Sequence, residues 1–192
     1  LFAKEALTLD HISNGRLELG VGAGGAPDDF EMTGLTDWPP IERARRFREF
    51  VRLLDALLVQ VADDDLGTTY EGQYYQTRAA VMNPGPVQRP RPPLTLAAGG
   101  PVNMKFAARM ADSWNQIPGP MNRHVEWQQT DVTCLGYVRS RNAEMDELCA
   151  AVGRDPHTLR RSILAGGGVT PDEPWSSPEA FRDFVGRYRE AG

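Results

Sequence analysis

Glycines cluster where two apolar segments of the chain end, and such clusters let backbone amides approach a ligand closely. The first cluster, Gly20-Val21-Gly22-Ala23-Gly24-Gly25, matches the G-x-G-x-x-G fingerprint of dinucleotide-binding folds. That fingerprint needs a helix starting at its third glycine, so that the helix N-terminus faces the pyrophosphate. The helix breakers from Pro27 to Pro39 instead predict an irregular segment with no helix before Pro40. Two interpretations stay open: glycines that turn a tight loop, or a backbone packed against a flat cofactor ring.

A second glycine pair, Gly99-Gly100, follows an apolar segment and precedes Pro101. Proline at the first helical position predicts that a helix starts here. Unpaired N–H groups and the positive end of the helix dipole would then face the turn and favour an anion. The functional interpretation is a site for a phosphate or an anionic ring edge. A plain strand-to-helix turn is the alternative, and the spacing alone favours it.

Other catalytic motifs are absent from the sequence. His11, His124 and His157 share no metal-ligand spacing, and there is no C-x-x-C pattern, so no metal site is predicted. Neither a G-x-S-x-G elbow nor a Walker lysine motif supports a serine hydrolase or a P-loop NTPase. Trp114-Asn115 can line a pocket with an aromatic wall and an amide, or pack beneath the sheet with Asn115 capping a turn. The sequence leaves these two open.

Strands and helices alternate along the chain, and their order decides where the glycine loops meet. Alternating apolar and polar residues, or short apolar runs, predict strands at residues 17–22, 94–98, 113–117 and 161–165. Apolar residues at helical spacing predict helices at residues 2–9, 40–61, 101–111, 138–152 and 178–188, and residues 69–75 predict a hairpin. The alternation is typical of parallel α/β sheets. The strand ends at Gly22, Gly99 and Gly166 should therefore gather at one carboxyl edge, where such folds bind ligands.

Composition narrows the class of protein. The chain has 192 residues, of which 41% are hydrophobic and 24% charged, so we expect one folded domain spanning residues 1–192. The net charge of −5 has the wrong sign for binding nucleic acid or anionic lipid, and no apolar run is long enough to cross a bilayer. We therefore expect a cytoplasmic protein with no nucleic-acid or membrane partner. Cys134 and Cys149 are expected to be free thiols in a reducing compartment.

A longer motif joins these features. Residues 8–24, TLDHISNGRLELGVGAG, resemble the TLD-x-S-x-GR-x-x-LG-x-G-x-G stretch of the bacterial luciferase-like family of flavin- and deazaflavin (F420)-dependent oxidoreductases. Similar segments follow in family order at residues 43–58, 70–72, 86–93 and 107–114. The resemblance implies a (β/α)₈ barrel in which the four predicted strands are the fourth to the seventh. We therefore expect an α/β fold that is a partial TIM barrel, truncated at both ends.

The resemblance also implies a site. Gly22 and Gly24 would line the cofactor ring, while Gly99 and Gly100 would offer backbone N–H groups to the cofactor. The cofactor would be FMN or F420, and the chemistry would belong to it. The expected function is a monooxygenase-like oxidoreductase acting on a small organic substrate, with a homodimer as a possible assembly. The alternative is a truncated or cofactor-free relative that serves as a dimer-forming structural subunit.

Catalytic residues are not assigned, because the chain departs from the family's pattern. The acid/base glutamate of the F420-dependent sugar-phosphate dehydrogenases would align with Gly25, and a phosphate-contacting lysine would align near Pro120, where the nearest cation is Arg123. A histidine used near the first strands would precede Leu1. We expect these 192 residues alone to bind cofactor weakly or not at all, because the resemblance implies that half of the enclosing barrel is missing.

Overall fold

The computed structural model describes residues 1–59, 66–120, 130–165, 170 and 174–192. It divides into two compact units, Leu1–Thr95 and Leu96–Gly192, and each unit is described by itself below. The expectation of one domain over residues 1–192 stays a prediction. Gly166, Arg123, His124 and the predicted end of the second helix near Val61 lie outside the described residues.

Helices and strands alternate as the sequence predicts, and the fold class is α/β. The helices are α1 Phe2–Ile12, α2 Pro27–Thr33, α3 Pro40–Leu58, α4 Pro101–Met110, α5 Asp131–Ala151 and α6 Pro178–Glu190, with a short 3₁₀ helix at Pro156–Thr158. The strands are β1 Leu19–Gly22, β2 Thr68–Glu71, β3 Gln76–Ala80, β4 Leu94–Ala97, β5 Ser113–Gln116 and β6 Arg160–Ile163. The order β1-β4-β5-β6 forms a four-stranded sheet, while β2 and β3 form the predicted antiparallel hairpin.

In the first unit, only part of the apolar face that the spacing of Phe2, Ala6 and Leu9 predicts for α1 is buried, because Ala6 is 2% exposed. Phe2 and Leu9 are 41% and 51% exposed, whereas the fully buried Asp10 lies on the packed face. The Asp10 carboxylate accepts hydrogen bonds from the backbone N–H groups of Val87 and Gln88, at 2.7 and 3.2 Å, and from Nε2 of Gln88 at 2.9 Å. These bonds attach α1 to the proline-rich segment that leads into β4.

The segment after β1 contains a helix that the sequence analysis excludes. The breakers predict an irregular segment over residues 26–40, but α2 occupies Pro27–Thr33. Pro27 is tolerated because it sits in the first turn, where its missing N–H has no intrahelical partner. Gly34 ends the helix in the left-handed conformation, with φ of 66°. The breakers therefore mark the two boundaries of α2 and do not prevent it.

Helix α3 and the hairpin complete the first unit. The buried face of α3 includes Phe47, Val51 and Leu54, as its spacing predicts. Glu49 lies toward the hairpin, where its carboxylate accepts the backbone N–H groups of Gln73, Tyr74 and Tyr75. This side chain fixes the turn between β2 and β3 against α3.

In the second unit, β5 pairs in parallel with β6, and Trp114 lies opposite Arg161. Helix α5 begins at Asp131, seven residues before the predicted start at 138, because Thr130 caps it in a reciprocal bond with Thr133. Helix α6 starts after Ser177, whose hydroxyl accepts the N–H of Ala180 as the sequence predicts. A cluster of buried side chains packs α5 against α6, formed by Cys134, Val138, Phe184, Tyr188 and Ala191.

Both cysteines, Cys134 and Cys149, are buried free thiols, as expected. Burial raises the pKa of Cys149; Arg154 and Arg161 oppose this effect and Asp146 adds to it. Within the described residues, none of the helices has the length and apolar character that crossing a membrane requires.

Candidate functional site

A cavity of about 250 Å³ opens in the first unit where β1 ends. Its wall is formed by the last residues of β1, by α2, by the amino-terminal half of α3 and by the hairpin turn. The lining residues are Val21, Gly22, Ala23, Phe30, Trp38, Arg43, Arg46, Phe47, Phe50 and Tyr75.

Helix α3 supplies the floor of this cavity through residues three and four positions apart. Arg43, Arg46, Phe47 and Phe50 recur at the spacing that places side chains on one helical face. Phe50 meets Tyr75 of the hairpin edge to face, with ring centroids 5.6 Å apart. The aromatic wall therefore depends on the hairpin being held in place by Glu49.

The two guanidinium groups of the wall each stack on aromatic rings. Cζ of Arg46 lies 4.1 Å from the ring centroid of Trp38 and 4.4 Å from that of Tyr74. Cζ of Arg43 lies 5.4 Å from the ring centroid of Phe30. Such contacts are attractive because the positive guanidinium group lies over the negative face of the ring.

The phenol of Tyr75 is the titratable hydroxyl of the wall. Burial raises its pKa, Arg46 acts in the opposite direction and Glu49 adds to the rise. Tyr75 is therefore a neutral hydrogen-bonding group near neutral pH.

The predicted residues Gly22 and Gly24 lie at this end of β1. Gly22 lines the cavity. Gly24 adopts a positive φ of 71°, and a Cβ there would lie 3.3 Å from Cζ of Phe30. The loop after β1 therefore packs its backbone closely against a wall residue, and contact with a cofactor stays a prediction.

The other predicted pair, Gly99 and Gly100, lies in the second unit at the start of α4. Gly100 is the N-cap, with no side-chain hydrogen bond, and its carbonyl accepts the N–H of Met104 at 2.8 Å. A Cβ on Gly100 would meet nothing within 4 Å. The backbone at this helix N-terminus thus has open space beside it. Convergence of Gly22 and Gly99 at one edge stays a prediction.

Arg141 of α5 is a neighbour of this pair that the sequence analysis misses. Its guanidinium donates to the carbonyl oxygen of Gly99 and to the carboxylate of Glu144. Forty-two positions separate Arg141 from Gly99, so no local spacing signals the contact. Because Glu144 pairs with this guanidinium, the positive potential that favours an anionic group beside Gly100 comes from the N-terminus of α4.

Trp114 packs in the interior. Its side chain is fully buried, and Nε1 donates to the carbonyl oxygen of Ala98 at 2.8 Å. Asn115 does not cap a turn: its Nδ2 donates to Oγ of Ser162 on β6, at 2.9 Å. The Trp114 bond ties β5 to the residue just before Gly99-Gly100, and the Asn115 bond ties β5 to β6. The described residues contain no group of three His, Cys, Asp or Glu side chains placed to bind a metal.

Comparison with known proteins identifies relatives over the whole chain. The family model of the luciferase-like monooxygenases matches residues 1–130. The FMNH₂-dependent dimethylsulfone monooxygenase of Pseudomonas putida is 25% identical over 192 residues, which cover all of this chain and 50% of that protein. The F420-dependent glucose-6-phosphate dehydrogenase of Amycolatopsis mediterranei is 35% identical over 115 residues, which cover 59% of this chain and 32% of that protein.

Solved structures agree on the fold. An F420-dependent secondary alcohol dehydrogenase, solved with an F420–acetone adduct, superposes with a TM-score of 0.74 at 18% identity, covering 100% of this chain and 66% of that one. The chain spans half or less of the length of the curated relatives named above, 50% and 32%. The expected α/β fold, part of a luciferase-like TIM barrel, is therefore confirmed.

The sequence argues against a dinucleotide-binding fold because no helix is expected soon after Gly25. Helix α2 begins at Pro27, so that argument does not hold. The match to the luciferase-like family now argues against a dinucleotide-binding fold instead. Because the family model covers more than half of the 192 residues, the chain belongs to the luciferase-like monooxygenase family.

Proposed function

We propose that this protein is a flavin- or deazaflavin-dependent oxidoreductase that acts on a small organic substrate in a monooxygenase-like reaction. Family membership supports the class of reaction, and the named relatives use FMNH₂ or F420. The observation that carries the proposal for this chain is the open backbone at Gly100, at the N-terminus of α4. A cytoplasmic location and a homodimer are the finer expectations that accompany this proposal.

The residues present fit an anionic cofactor. Gly99 and Gly100 would hold its charged part, since the positive end of the α4 dipole favours negative charge. Gly22 and Gly24 would lie against the ring, beside the aromatic wall of the cavity. When bound, a reduced flavin or deazaflavin supplies hydride or activates dioxygen. The task of the chain's residues is to bind and orient the reactants and to exclude water.

Gly25 argues against a sugar-phosphate substrate. The family resemblance places an acid/base glutamate at this position in the F420-dependent sugar-phosphate dehydrogenases. Gly25 has no side chain to move a proton, and a Cβ there would meet nothing within 4 Å. The structure therefore has room for a glutamate side chain at position 25, but this chain has glycine there.

The test is a titration of the purified full-length protein with FMN and with F420, followed by cofactor absorbance. We expect saturable uptake of one of the two cofactors by the wild type. Gly100→Leu should lower the affinity at least about tenfold, a change of ~1.4 kcal/mol in binding free energy, because a side chain fits the fold there but fills the cofactor's space.

Gly136→Leu is the matched control, since a Cβ on Gly136 in α5 would also meet nothing within 4 Å. This variant should bind cofactor as the wild type does. If the wild type takes up neither cofactor, the proposal fails and a cofactor-free structural subunit becomes the better account. Equal losses in both variants would refute the assignment of Gly100.

A further inference from the structure

We infer that the cavity at the end of β1 is a substrate pocket that selects an uncharged aromatic or apolar molecule over an anionic one. The inference rests on the proposed function for its catalytic meaning and goes beyond it by naming the class of substrate. The first observation is the composition of the wall, in which Val21, Phe47, Phe50 and Tyr75 provide apolar surface around two guanidinium groups.

The two guanidinium groups of the wall are each paired with a carboxylate. Nη1 of Arg43 lies 2.8 Å from Oδ1 of Asp37. Nη2 and Nε of Arg46 lie 2.8 and 2.9 Å from Oε1 of Glu42. The four charges therefore cancel, so this part of the wall has no excess positive charge to attract an anion.

The planar faces of the guanidinium groups are also occupied. Arg46 lies between the rings of Trp38 and Tyr74, at 4.1 and 4.4 Å from their centroids, and Arg43 lies over Phe30. A guanidinium recognises a carboxylate or a phosphate through a free edge with two parallel N–H donors. In Arg46 the Nε–Nη2 edge already serves Glu42. Arg46 therefore has one edge and its contacts with two rings occupied within the wall, while Arg43 lies over a single ring and pairs with Asp37 through Nη1.

An anion entering this cavity would be destabilised. It would lose hydration against aromatic surface, and the arginines, which are already paired with Asp37 and Glu42, would offer no net positive charge in compensation. The volume of about 250 Å³ is slightly below the ~300–1,000 Å³ of pockets for drug-sized ligands. It suits a molecule of one or two rings.

The experiment uses three probes of nearly identical shape and different charge: benzamide, benzoate and benzamidinium. Each is titrated into the cofactor-free full-length protein by calorimetry, with the fluorescence of Trp38 as a second readout. We expect benzamide to bind about tenfold more tightly than benzoate. Trp38→Phe keeps an aromatic ring in the wall and should abolish the fluorescence change while the calorimetric binding remains, which would locate the probe.

Glu42→Gln tests the cause of the selection. The variant removes the charge that neutralises Arg46 while keeping a hydrogen-bond acceptor, so benzoate affinity should rise severalfold and benzamide affinity should stay unchanged. Glu179→Gln on α6 is the matched control, because it removes the same charge from an exposed glutamate outside the cavity lining. It should leave both affinities unchanged.

Four results would overturn the inference. The first three are tighter binding of benzoate than of benzamide to the wild type, no binding of any probe, and equal responses to Glu42→Gln and Glu179→Gln. The fourth is preferential binding of benzamidinium, since it would identify a cation site. Because the probes are titrated without cofactor, a failure of cofactor uptake refutes the proposed function separately. The probe preference would then remain as a property of the cavity.

Discussion

Removal of the Asp10 carboxylate should strongly destabilise the first unit. In Asp10→Ala the backbone N–H groups of Val87 and Gln88 lose their acceptor. The Nε2 group of Gln88 keeps a second acceptor, the carbonyl oxygen of Leu17 at 2.7 Å. The loss therefore concerns two backbone donors.

The magnitude follows from these two donors. A buried donor left without a partner costs ~1–3 kcal/mol, so the two together cost about 2–6 kcal/mol. The higher helix propensity of alanine returns up to ~0.7 kcal/mol in α1. Val87 is 40% exposed, so water can reach this region and the lower half of the range applies. We expect a loss of about 2 kcal/mol in the free energy of unfolding, against a typical total of ~5–15 kcal/mol.

The assay is urea unfolding of the variant and the wild type, followed by far-ultraviolet circular dichroism. Asp10→Asn should lose less than Asp10→Ala, because one amide oxygen still accepts. Glu5→Ala, at an exposed position of the same helix, is the control and should change stability by less than ~1 kcal/mol. A loss below about 1 kcal/mol for Asp10→Ala would refute the account of α1 as the anchor of the segment before β4.

Three further predictions concern other contacts. Gly72→Ala would place a Cβ 2.1 Å from Oε1 of Glu49 and displace it from the hairpin amides, so urea unfolding should show a loss of about 2 kcal/mol. Burial raises the pKa of Cys149, so stability should fall as the pH rises above the ordinary thiol value of ~8.5, and Cys149→Ala should remove that slope. Trp114→Phe leaves the carbonyl of Ala98 unpaired and creates a void, which should cost about 2–3 kcal/mol in the same assay.

Each of these predictions has a contradicting result. Gly72→Ala with wild-type stability would show that Glu49 does not fix the hairpin. An unchanged slope in Cys149→Ala at alkaline pH would show that other groups cause the pH dependence. Wild-type stability of Trp114→Phe would show that its indole N–H bond is not needed to hold β5.

Local spacing is sufficient to predict much of the fold. The apolar repeat of α3 and the glycine–proline boundary at Gly100 each depend on residues within a few positions, and the structure places both as predicted. The same local signals give a wrong prediction for α2. Pro27 and Gly34 are expected to prevent a helix, but they lie at its two ends. The position of a proline or a glycine within a turn decides which role it has.

Long-range partners explain what the sequence could not show. Asp10 belongs to the family motif, but its partners lie 77 and 78 positions away. A carboxylate on a helix is normally exposed, so the burial of Asp10 beside Ala6 on α1 does not follow from the apolar spacing. The cavity wall joins α3 to Phe30, Trp38 and Tyr75, and no local pattern links these residues. Of the four site residues that the sequence predicts, only Gly22 lines this cavity.

The most direct test of the proposed site is amide hydrogen exchange of the full-length protein with and without its cofactor. The account predicts that bound FMN or F420 slows exchange in two segments, residues 20–25 after β1 and residues 99–103 at the start of α4. Protection of both segments by one cofactor would show that the two glycine turns bind the same molecule. Saturating cofactor that protects neither segment, or only one of them, would contradict the claim.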